Sequence, residues 1–63
     1  MKKVVLVFPD TLSMADFLLT QRVSNAEVNS VNHTLVAPMT DKQIIIAETE
    51  YGAILKALKA TNL

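Results

Sequence analysis

Apolar residues change their spacing several times along the chain, and each change predicts an element. Val4-Val5-Leu6-Val7-Phe8 is apolar at both alternating positions and rich in β-branched residues. Such a run predicts a strand buried on both faces rather than wetted on one. Pro9-Asp10 ends it. Asp10, Thr11 and Ser13 then supply side chains that accept hydrogen bonds from the free N–H groups of a helix start. Leu12, Met14, Ala15, Leu18 and Leu19 fall on one side of a helical wheel, with Ser13, Asp16 and Thr20 on the other. This predicts an amphipathic helix of about three turns. Phe17 sits off that stripe, beside Ser13 and Gln21. It is either edge-of-core packing or, with Met14, part of a contact surface.

From Asn25 to Pro38 the period becomes two. Ala26, Val28 and Ser30 alternate with Glu27, Asn29 and Val31, and Thr34-Leu35-Val36-Ala37 is again strand-like. Asn32-His33 suits the tip of a hairpin because asparagine tolerates positive φ. Pro38 is expected to close the second strand.

The last third admits three readings. Thr40-x-x-Gln43 is a capping-box pattern, with Asp41 in the first turn where a negative charge suits the helix dipole. Ile44, Ala47, Tyr51, Ile54, Leu55 and Leu58 form a narrow helical stripe that contains Gly52, the only glycine. Residues 41 to 51 can form a helix stopped by Gly52, followed by a short strand from Ala53 to Leu58. One long C-terminal helix can instead run through Gly52 at a cost of about 1 kcal/mol, which would make the fold βαββα. Or Ile44-Ile45-Ile46 is a strand and the helix starts at Thr49. The first reading is favoured because it puts glycine where glycine is most useful.

The favoured reading is α+β, a ferredoxin-like βαββαβ sandwich with an antiparallel sheet and two helices on one face, the last strand beside the first. Its other sheet face stays open, although the first strand is apolar on both sides. That unmet face is the main reason to expect a homodimer packed sheet to sheet, with Val5, Val7, Met14 and Phe17 as candidate interface residues.

Composition sharpens this expectation. Sixty-three residues read as one small domain whose core needs reinforcement. No cysteine supplies a staple, a thiolate metal site or a thiol nucleophile. A hydrophobic content of 51 % and a mean hydropathy of +0.33 favour self-association as the reinforcement. Six basic and six acidic residues cancel, which argues against a nucleic-acid or anionic-membrane binder. The five-residue apolar run before Pro9 is short for a signal peptide, and nothing approaches a membrane span, so the expected location is cytoplasmic.

Chemistry-bearing motifs are scarce. The chain has no Gly-x-Ser-x-Gly, His-Glu-x-x-His, Walker or Gly-x-Gly-x-x-Gly pattern. A triad could use only His33, the single histidine, and an exposed hairpin tip is a poor place for an oriented base. An enzyme would need Asp10, His33 and Arg22 to converge in a cleft. Glu48 and Glu50 point about 160° apart on a helix, so they cannot clamp one ion. No catalytic residue, metal or cofactor is expected. Lys2, Lys3, Lys56 and Lys59 would share an edge if the terminal strands pair, where lysines guard against edge-to-edge aggregation. Too few surface aromatics remain to stack RNA bases.

Leu6-Val7-Phe8-Pro9-Asp10, Val31-Asn32-His33-Thr34-Leu35 and Tyr51-Gly52-Ala53 resemble short uncharacterised bacterial proteins of ferredoxin-like type, and the resemblance covers most of the chain. No activity comes with it. At fold level the chain is also similar to small regulatory domains of the ACT kind, which bind amino acids at dimer interfaces. Those domains usually carry a glycine-containing turn after the first strand; here the turn is Phe8-Pro9-Asp10-Thr11. Two functions are therefore expected: a non-enzymatic interaction or oligomerisation module, or a metabolite sensor with its ligand at Asp10, Thr11 and Ser13.

Overall fold

The computed structural model describes residues 2–59, with side chains as far as Lys56. The element order is β1 (Lys2–Val7), α1 (Thr11–Gln21), β2 (Glu27–Asn29), β3 (Thr34–Met39), α2 (Asp41–Glu50) and β4 (Ile54–Lys59). The strands form one antiparallel sheet in the order β2-β3-β1-β4. This is the expected ferredoxin-like arrangement, with the last strand beside the first.

Alternation decides which side of the sheet is covered. Val4 and Leu6 of β1 and Leu35, Ala37 and Met39 of β3 are fully buried under the helices. They meet Met14 and Phe17 of α1 and Ile44 and Ala47 of α2 in one core. Phe8, Phe17 and Tyr51 gather their rings, with Phe17 5.4 Å from Phe8 and 5.3 Å from Tyr51.

The helix starts follow their chemistry. The Asp10 carboxylate accepts the Ser13 N–H at 2.7 Å at the start of α1. At α2 the capping box closes in both directions, Gln43 N–H to Thr40 Oγ1 and Thr40 N–H to Gln43 Oε1. Gly52, at φ +70°, turns the chain out of α2, and the Ala53 N–H returns to the Ala47 carbonyl at 3.0 Å. Helix then strand is thus the arrangement of the last third, and neither the long-helix nor the strand-first alternative forms.

Three expectations fail. The apolar stripe of α1 does not act as one core face: Met14 and Leu18 turn inward together with the off-stripe Phe17, while Leu12, 81 % exposed, Ala15 and Leu19, 78 % exposed, face outward. Counting apolar residues around the wheel treats them equally; the core takes the face whose ring completes the aromatic cluster with Phe8 and Tyr51. Met14 and Phe17 are therefore sealed inside the molecule and offer no surface to a partner. Pro38 does not close β3 but lies within it, beyond the point where β2 ends at the Glu27–Val36 pair. An edge position of that kind needs no proline N–H.

At the hairpin, His33 rather than Asn32 takes the positive φ, +54°. Its carbonyl accepts the Phe8 N–H at 2.8 Å, which ties the turn to the end of β1. The Asn29 side chain bonds the Val31 and Asn32 N–H groups and shapes the rest of the turn.

Candidate interaction surface

The uncovered side of the sheet is built from the alternate residues of its strands. On β1 these are Lys3, Val5 and Val7, and on β3 they are Thr34, Val36 and Pro38, all only half-buried. Val5 lies directly opposite Val36, Lys3 opposite Pro38, and Val7 lies between Thr34 and Ile54. Opposite residues of an antiparallel pair stand about 4.5–5.5 Å apart, so Val5, Val7, Val36 and Pro38 make one apolar patch with Lys3 and Thr34 at its ends. Ile54, 63 % exposed, extends it onto β4. Glu27 and Asn29 on β2 give it a polar border.

Val5 and Val7 were the two interface candidates that the sequence placed on this face. Val36, Pro38 and Ile54 were missed. Period-two alternation through Thr34–Met39 was the available signal, but ending the strand at Pro38 cut it short.

The candidate ligand turn sits at the start of α1. Asp10 and Thr11 are exposed and Ser13 is partly buried. Hydrogen bonding from Ser13, chiefly its backbone N–H, lowers the Asp10 carboxyl below its ordinary value, aided slightly by His33. The Ser13 N–H is already committed to that carboxylate. Arg22 caps the far end of α1, about 18 Å along the helix axis from Asp10, so Asp10, His33 and Arg22 do not converge. Among the described residues no group of three potential metal ligands exists.

Of the expected basic edge, Lys2 pairs with Asp41 at 3.1 Å and Lys3 lies in register with Lys59. The Lys59 side chain is outside the described residues. Lys56 stands at a bulge in β4, opposite the Val5–Leu6 step of β1.

One polar cluster had no counterpart in the sequence reading. The Tyr51 hydroxyl donates to Asp16 Oδ2 at 3.0 Å and lies 2.9 Å from Thr20 Oγ1, which links the end of α2 to the outer flank of α1. A partly buried tyrosine hydroxyl needs a polar partner, but spacing alone does not say which.

No family model matches the chain, and no curated protein or solved structure matches it. Among the described residues, no helix is long and apolar enough to cross a membrane.

Proposed function

We propose that this chain is a non-enzymatic self-association module that pairs with a second copy through the open face of its sheet. One observation carries the reading: the central strands β1 and β3 present Val5, Val7, Val36 and Pro38 on a side that no helix or loop among the described residues covers. Strands about 4.8 Å apart and six residues long give this face roughly 15 by 20 Å. That is about 300 Å² per copy, below the standard specific interface and in the range of weak, transient pairing, so micromolar rather than nanomolar affinity is expected. A cytoplasmic location goes with this reading, because a secreted domain this small would draw on disulfides.

Light scattering across protein concentration tests it. The mass is expected to rise from one chain toward two between low and high micromolar concentration. Val36→Lys, at the centre of the patch, is expected to hold it at one chain while leaving the circular dichroism spectrum unchanged. A wild-type monomer at high micromolar concentration overturns the proposal.

A further inference from the structure

The outer face of α1 is a second apolar surface that no other element among the described residues covers, turned away from the core and from the open sheet face. Leu12 and Leu19 stand about 10.5 Å apart along the axis and within about 20° of each other around it. Both are almost fully exposed. Between and beside them, Ala15, Asp16 and Tyr51 line a shallow groove that opens at Asp10. Among the described residues, two carboxylates border this groove and no cation does. Asp10 uses Oδ1 for the Ser13 N–H and Asp16 uses Oδ2 for the Tyr51 hydroxyl. The other oxygen of each carboxylate accepts no hydrogen bond, and neither carboxylate joins an ion pair, among the described residues. The Tyr51 ring rests edge-on against Phe17, which fixes the groove wall.

Charge selects the occupant. A second copy would have to pair stripe with stripe about a two-fold axis. The midpoint of Leu12 and Leu19 falls between Ala15 and Asp16, so an antiparallel pairing about that midpoint sets Asp16 beside its own copy. Like charges at a contact centre oppose association. An anionic lipid surface or a nucleic acid meets the same carboxylates. An amphipathic helix bearing Lys or Arg beside its apolar face satisfies the leucines and the carboxylates together.

We propose that the α1 groove docks a basic amphipathic helix of another protein. Its apolar residues pack between Leu12 and Leu19, and its basic side chains pair with Asp10 and Asp16, about 9 Å apart along α1.

Fluorescence anisotropy with two labelled peptides of about 14 residues tests this on the full chain. One peptide carries Leu on one helical face and Lys beside it; the other replaces every Lys by Glu. The Leu–Lys peptide is expected to bind saturably, and the Leu–Glu peptide at least tenfold more weakly. Leu12→Gln with Leu19→Gln is expected to weaken the Leu–Lys peptide about tenfold. Asp16→Asn, which keeps an acceptor for Tyr51, is expected to weaken it several-fold at low salt and not at about 0.5 M, where charges are screened. Val36→Lys is expected to leave binding unchanged. Equal binding of the two peptides, full binding by the double Gln variant, or loss with Val36→Lys overturns the proposal. So does self-association that the double Gln variant abolishes, since that would assign the groove to a second copy.

Discussion

Asp10 keeps its charge in the folded state because the Ser13 N–H donates to its carboxylate at 2.7 Å. Its folded pKa is therefore depressed. The resulting stabilisation is complete above the unfolded value near about 4 and is lost as pH falls through the folded value. Thermal melts stepped from about pH 6 to about pH 2 are expected to show the wild type losing melting temperature faster than Asp10→Asn, whose amide caps without titrating. Equal slopes would place the acid sensitivity on other carboxylates. Backbone conformation gives a second pair of tests. Arg22 ends α1 at φ +52°, a left-handed conformation that costs a side-chain-bearing residue about 1–2 kcal/mol. Arg22→Gly is expected to stabilise by about 0.5–1 kcal/mol after the added freedom of the unfolded chain, read as a higher urea midpoint with unchanged slope. Gly52→Ala is expected to do the reverse, by about 1 kcal/mol. A Cβ there meets only Pro9 Cγ at 3.8 Å, so the loss is backbone strain rather than a clash.

Elements with position-specific chemistry were the legible ones. Thr40 and Gln43 marked the start of α2 because their side chains satisfy each other's backbone N–H groups, and Gly52 marked its end because the chain turns there at positive φ. Thr40→Ala is expected to cost about 1 kcal/mol, seen as a loss of helical signal at lower temperature. A larger loss would mean that the cap also holds the β3–α2 junction. The orientation of α1 was not legible for a physical reason: it is apolar on two sides. Leu12 and Leu19 make one side and Met14 and Phe17 the other, and only the ring of Phe17 against Phe8 and Tyr51 decides between them. Pro38 misled because its tolerance depends on where β2 stops, which is a property of a different strand.

At the scale of the whole molecule, two apolar surfaces are left on opposite sides of a small core, and they make separable demands. The sheet face is a patch of β-branched residues without a central charge, and the helix face is a leucine pair beside carboxylates. Leu12→Gln and Leu19→Gln are expected to change stability by no more than about 0.5 kcal/mol each, because neither side chain is part of the core. A larger fall in melting temperature would show that α1 leans on a neighbour in solution. The sequence disclosed the first surface through the doubly apolar β1 and hid the second behind the assumption that leucines on a helix point inward.

The strand order has a consequence for how the chain is made. β1 precedes β3 and β4 in the chain but lies between them in the sheet, so one of its two edges waits for residues 54 to 59. Until they arrive, a valine-rich strand stands with an open hydrogen-bonding edge and an uncovered face. A chain that stops before Ile54 would present that edge to chaperones and proteases, so β4 acts as the guard of β1 as well as its partner.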